Sequence, residues 1–269
     1  MVVVRFSTSS AVSAQPREAG REVLCALKHS LRAFEPDLDY GVIPVGIGAI
    51  DQVLGGGLAR AALHEVAAAG ESAITAATQF VLGLAAHSEE QRAVLWIVED
   101  MALLENGAPY GPGLDDVGIH PERLVTVAGA KSRDVLWAME EALRCRAVGV
   151  VIGEVRSVER LDLVASRRLS LAAGQRDVCA FLLRTLPGTD ASAAATRWMV
   201  AAAPSRASPA GPGPPRFSVH LTRNRRGPVG SWLVEWHRAE RRFDLAPPVS
   251  EPVADAACDR PHRAAAHGA

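Results

Sequence analysis

Cysteine is scarce in this 269-residue chain and widely scattered. Cys25, Cys145, Cys179 and Cys258 form no CxxC pair, so neither a zinc ribbon nor a disulfide scaffold is expected. Excess charge is missing too: 29 Lys and Arg stand against 30 Asp and Glu, and no global basic field announces nucleic acid. Long apolar runs are lacking. In the first half, the longest stretch free of Asp, Glu, Lys and Arg is 72–88, which carries Thr75, Thr78, Gln79 and His87. It falls short of the roughly 20 residues that a membrane span requires. The opening residues place Arg5 before a serine run and offer no sustained apolar core of the signal-peptide kind. HExxH, Cys/His pairing at metal spacing and GxSxG are all absent, so no metal site and no hydrolase nucleophile elbow is expected. The expectation is a soluble, cytoplasmic protein without a membrane partner.

What is present reads as a folded domain. Apolar residues make up 48% and charged residues 22%, which excludes a wholly disordered chain. Strand-like runs at 63–67, 93–98, 124–127, 148–152 and 178–183 alternate with helical stretches at 72–86, 132–146 and 157–173. Ser132 and Ser157 are the expected N-caps. The run Val148 to Ile152 is so uniformly apolar that it implies burial on both faces, as in a parallel sheet. The fold class is therefore α/β, a mostly parallel sheet flanked by helices.

Flanking segments differ in character. Leu24, Leu27, Leu31 and Phe34 recur at helical spacing before Pro36, making an amphipathic stripe that must bury one face, either by packing on its own domain or by docking on a partner. Segment 204–215 is rich in Pro and Gly and reads as a linker or loop. Phe217, Val219 and Leu221, then Trp232, Val234 and Trp236, alternate with period two and predict a β-hairpin. The expected organisation is a tail and helix at 1–41, a core at 42–203, the linker, a hairpin at 216–245 completing the sheet, and a disordered tail at 246–269.

The chemically informative stretch follows the turn Leu54-Gly55-Gly56-Gly57-Leu58: a strand, a small-residue loop, then a helix. That order is the architecture of a phosphate cradle, because loop amides and a helix N-terminus point at an anion. A working loop reads GxxxxGK[ST]. Here the corresponding residues are Ala68, Ala69, Gly70, Glu71, Ser72, Ala73, Ile74 and Thr75. Both framework glycines are alanine, the lysine is Ile74, and only the hydroxyl of Thr75 survives. Losing the lysine removes a charge-assisted contact of about 1.5–3 kcal/mol, roughly one to two decades of affinity. Catalysis should suffer more, since that ammonium follows the charge developing on the transferred phosphoryl group. Glu71 adds negative charge where phosphate would sit. Neither ATP nor magnesium is expected to bind, and no enzymatic activity is expected.

The acidic residues agree only in part. Gly153 holds the place of a magnesium-binding aspartate after the 148–152 strand; Glu154 beside it could substitute, but is expected to point to the other side of the strand. Glu99 closes the 93–98 strand, where an ATPase keeps its water-orienting carboxylate. The candidate remnant site is Ala68, Gly70, Glu71, Ser72, Ala73, Ile74, Thr75 and Glu99.

The stretch PVGIGAIDQVLGGGLARAALHEV resembles the leading segment of RecA-like ATPases. Taken with VLWI, DVLWAMEEALRC, LDLVASRRLSLAA, TRWMVAAAPS and RNRRGPVGSWLVEW, in that order from about Val42 to Trp236, the chain is similar to the ImuA family. These are RecA-related accessory proteins of bacterial SOS mutagenesis cassettes. The resemblance implies a RecA-like core and a non-catalytic role in translesion synthesis. It also implies contacts with an ImuB-like polymerase homologue, with RecA and with an error-prone polymerase subunit. Two other readings stay open: a RecA-type ATPase paralogue with a degenerate loop, and a regulatory binding protein of the cell-division-inhibitor type.

A local basic surface is legible independently of the resemblance. Between positions 206 and 242 stand Arg206, Arg216, Arg223, Arg225, Arg226, Arg238, Arg241 and Arg242, against Glu235 and Glu240 alone. Arg223, Arg225 and Arg226 at the hairpin tip could reach DNA phosphates or an acidic partner, and Trp232 could stack on a base. The competing reading is solvated arginines over a sheet edge covered by tryptophan.

Overall fold

The computed structural model describes residues 41–88, 92–156, 162–188, 190–205, 207–208 and 211–247. Leu24, Leu27, Leu31 and Phe34, the N-cap candidate Ser157, Arg206 and nearly all of the 246–269 tail lie outside them.

The chain begins with β1 (Val42–Ile43), α1 (Gly48–Leu54) and β2 (Leu58–Ala59), then enters β3 (Leu63–Ala68) and α2 (Ile74–Ala86). Next come β4 (Ala93–Glu99), α3 (Asp100–Asn106), α4 (Gly111–Val117), β5 (Leu124–Gly129), α5 (Ser132–Ala142) and β6 (Val148–Val155). After α6 (Leu163–Arg176) follow β7 (Cys179–Arg184), β8 (Thr196–Ala203), β9 (Ala207–Ser208), β10 (Gly211–Pro212), β11 (Arg216–Asn224), β12 (Gly230–His237) and β13 (Arg242–Leu245). The main sheet has nine strands in the order β13-β12-β11-β8-β3-β7-β6-β4-β5. From β8 to β5 every pairing is parallel, while β11, β12 and β13 add on antiparallel. This is the α/β sheet with a C-terminal hairpin expected above.

Helices on both faces explain the uniformly apolar strands. Every residue of β6 is buried. Along β4, Val94, Trp96 and Val98 face the core shared with α2, whereas Leu95 and Ile97 face the core under α5 and α6. The C-terminal strands belong to the α2 core. Phe217, Trp236 and Phe243 are buried in it, and Phe243 meets Trp236 edge-on at 4.7 Å between ring centroids. Gly83 in α2 makes room for them, since a Cβ there would come within 2.5 Å of the Phe243 ring. A second close approach fixes the turn before β2: Gly57, at φ +147, carries no Cβ to strike the Ile43 carbonyl 2.5 Å away.

Several elements depart from the sequence expectation. Helices α1, α3 and α4 are seven residues each and are interrupted or bounded by glycine and proline, so no apolar period announces them. Helix α6 starts at Leu163, capped by Asp162, whose carboxylate accepts from the Ala165 amide at 2.7 Å. Ser132 is not the N-cap of α5: Lys131 holds that position, and the Ser132 hydroxyl donates to Glu99 at 2.8 Å. Inside the expected linker, β9 and β10 pair as a short antiparallel ribbon. Among the described residues, no helix is long and apolar enough to cross a membrane.

Candidate functional site at the carboxyl edge of the sheet

β3 ends at buried Ala68, and the chain passes through extended Gly70 into one 3-10 turn, Glu71–Ala73, before α2 begins at Ile74. The direction of the loop amides decides what this turn can hold. The Ala69 amide donates to the Val200 carbonyl at 2.8 Å, and the Ala73 amide donates to the Gly70 carbonyl at 2.9 Å. The Ile74 amide donates to the Glu71 carbonyl. A phosphate cradle needs such groups aimed outward; here the amides at the second glycine and lysine positions serve the loop itself. Ile74 is buried in the α2 core, while Glu71, Ser72 and Thr75 are exposed. These residues do not fit a magnesium nucleotide.

The acidic residues separate onto two faces. Glu99 is buried on the α5 side, where it accepts from the Ser132 hydroxyl at 2.8 Å and the Arg156 amide at 2.9 Å. Gly153 faces the same core, and a Cβ there would overlap the Met139 sulfur. Strand alternation holds at Glu154, but the side it takes is the one the loop shares. The carboxylate follows Val150 and Ile152 onto the α2 face and lines a cleft together with Thr75. The Trp96 indole N–H donates to it at 3.2 Å. Burial raises the Glu154 pKa above the ordinary carboxylate range; the Trp96 hydrogen bond opposes this, and neighbouring Glu99 adds to it. Sequence reasoning discounted this residue; the signal that finds it is its two-residue offset from Ile152.

The cleft measures about 500 Å³ and lies between α2, the end of β4, the α3–α4 segment and the last turn of the C-terminal strands. Thr75, Trp96, Tyr110, Glu154, Trp236 and Arg238 are among its lining residues. Trp236 comes from a part of the chain far from Trp96 and Tyr110, so no local motif could join all three. Among the described residues there is no group of three or more His, Cys, Asp or Glu side chains placed to hold a metal ion.

Comparison with known proteins fixes the lineage. Protein ImuA of Caulobacter vibrioides, in strains NA1000 / CB15N and ATCC 19089 / CIP 103742 / CB 15, is 32% identical over 203 residues. The match covers 69% of this chain and 79% of that protein. The chain belongs to the ImuA family. No family model matches it. The crystal structure of the RadB recombinase superposes with a TM-score of 0.54 at 14% identity, over 77% of this chain and 100% of that one. That likeness establishes a RecA-like fold, and membership of the ImuA family carries an accessory role in SOS mutagenesis.

The hairpin residues of this ImuA-family chain divide. Arg223 is partly buried and donates to the Ser192 carbonyl at 2.5 Å, while Asn224 beside it donates to the Val53 and Pro228 carbonyls at 3.0 Å. Trp232 is partly buried against the core, 6.2 Å from Trp198. Both are thus engaged within the fold. Arg225 and Arg226 are exposed at the tip, and Arg225 also reaches the Ala193 carbonyl at 3.3 Å.

A buried polar relay lies near that tip. His64 is fully buried, with Nε2 2.8 Å from the Ala59 carbonyl and Nδ1 2.8 Å from the Thr196 hydroxyl. A carbonyl only accepts, so Nε2 carries the proton, Thr196 donates to Nδ1, and the Trp198 indole donates to Thr196 at 2.9 Å. Burial pushes the His64 pKa down to about 4; the hydrogen bond to Ala59 opposes this and nearby Arg226 adds to it.

Proposed function

We propose that this chain is a non-catalytic adaptor of SOS-induced translesion synthesis, joining an ImuB-like polymerase homologue to RecA and to DNA. One observation carries the reading. Where the fold ordinarily seats triphosphate, the lysine position is the buried aliphatic Ile74, and the Ala73 and Ile74 amides close onto the loop's own carbonyls. Transition-state stabilisation in phosphoryl transfer depends on cations and outward amides. Without them, the RecA-like core supplies surfaces rather than turnover. The exposed arginines Arg225 and Arg226 support a DNA contact, and the stripe Leu24, Leu27, Leu31 and Phe34 remains the proposed docking element toward the polymerase homologue.

Affinity capture of the full chain from damage-induced cells tests the partners. The polymerase homologue and RecA are expected to co-purify, and deletion of residues 17–36 is expected to release the former. Purified chain is expected to hydrolyse ATP no faster than a blank. ATP turnover that Thr75→Ala abolishes would overturn the reading in favour of an ATPase paralogue.

A further inference from the structure

The cleft between α2 and the α3–α4 segment has a chemistry of its own. Its acidic lining residues are Asp116 and Glu154. Tyr110, at the edge of the cleft, is 74% exposed, and Leu82, Val98 and Leu114 make the cleft walls apolar. Glu154 lines it from below, 4% exposed, with the Trp96 indole as its hydrogen-bond donor. Of the lining residues, Arg238 is the sole Lys or Arg, and it lies 3.8 Å from Asp116.

An anionic ligand finds no welcome there. A cation finds a buried carboxylate with apolar walls that can take the aliphatic stem of an arginine. We propose that the cleft receives a segment of a partner protein in which a basic side chain is flanked by apolar ones. The basic group enters toward Glu154, and its apolar neighbours meet Leu82, Leu103, Leu114 and Tyr110. Charge complementarity selects this occupant, because Arg238 lies beside Asp116 and the Glu154 carboxylate faces apolar walls with no cation of its own. The inference rests on the adaptor reading, since a triphosphate in the same place would exclude it.

Fluorescence anisotropy on the full chain tests it, with a short labelled peptide alternating leucine and arginine and a counterpart carrying glutamate for arginine. The leucine–arginine peptide is expected to bind, and the glutamate peptide to bind at least about ten-fold more weakly. Glu154→Gln, which keeps an acceptor for Trp96, is expected to weaken binding about ten-fold. Tyr110→Lys, at an exposed position that leaves folding intact, is expected to do the same, whereas Trp137→Ala on the opposite face of the sheet changes nothing. Equal binding of both peptides, no binding of either, or indifference to both Glu154→Gln and Tyr110→Lys overturns the proposal. So does concentration-dependent self-association that Arg225→Ala/Arg226→Ala abolishes, because the occupant is then a second copy. Calorimetric titration with magnesium-ATP separates the two readings. Nucleotide that binds and displaces the peptide overturns the adaptor reading as well, whereas silence toward both ligands overturns the cleft assignment alone.

Discussion

The two edges of the parallel sheet have opposite characters. At the carboxyl edge, β3 runs into the Ala68–Ala73 loop beside an apolar cleft whose neighbouring segment is acidic. At the amino edge stands the hairpin tip: Asn224 pairs with Thr196 at the start of β8, and Thr196 pairs with His64 near the start of β3. Arginines gather there, at Arg223, Arg225 and Arg226. A nucleotide-driven RecA-like protein needs its cation at the carboxyl edge. In this chain that place is aliphatic and the exposed arginines of the tip lie across the sheet, which separates phosphate-attracting charge from the remnant loop. Such a layout supports the proposed adaptor role.

The contrast can be broken most forcefully in the core that joins the C-terminal strands to α2. Phe243→Ala removes a fully buried ring packed on Gly83 and Trp236 and is expected to cost about 3–5 kcal/mol, read as a fall in the urea midpoint. A much smaller loss would mean that the hairpin is only loosely attached.

Next in size is the pH response of the amino edge. His64 titrates near its usual value of 6.5 when unfolded and near about 4 when folded, so between those values the unfolded state binds more protons. Stability is full above 6.5 and falls as pH drops through that window, by about 3 kcal/mol in all. Equilibrium unfolding across the window measures the slope, and His64→Gln is expected to remove most of it. An unchanged slope in that variant would assign the acid sensitivity to other groups.

At the hairpin tip, Arg225→Ala/Arg226→Ala is expected to weaken single-stranded DNA binding and flatten its salt dependence by about 1.4 in log–log slope. Stability should stay within about 0.5 kcal/mol, because both side chains are exposed. An unchanged slope removes the tip from any DNA contact. The smallest effect is expected from Ile74→Lys. Restoring the cation alone leaves the Ala73 and Ile74 amides bound to the loop, so ATP turnover remains at the blank. Activity gained by this one change would show that the loop geometry is permissive after all.

Much of the scaffold was legible before any coordinates. Val148 to Ile152 could hardly be other than a strand covered on both faces, and Phe217, Val219 and Leu221 alternate as a half-buried strand must. The short helices α3 and α4 were not legible, because seven residues that begin Gly-Pro-Gly, or that stop at a glycine after less than two turns, leave no period to detect. Glu154 was only half legible, for a different reason. Alternation says that neighbours face opposite ways, yet it does not say which way faces the loop. Trp96, Tyr110 and Trp236 escaped notice because they meet only through sheet order and strand crossing.

The sequence by itself determined the α/β layering and the loss of the lysine, since strand burial and side-chain charge are properties of residue type and local spacing. Tertiary structure alone decided that Glu154 enters the cleft, that the loop amides turn inward, and that Arg223 is held by Ser192 while Arg225 and Arg226 stay exposed. Each of these depends on which distant segment packs alongside, and hydrogen-bond direction and cavity shape are set by neighbours in space rather than in the chain.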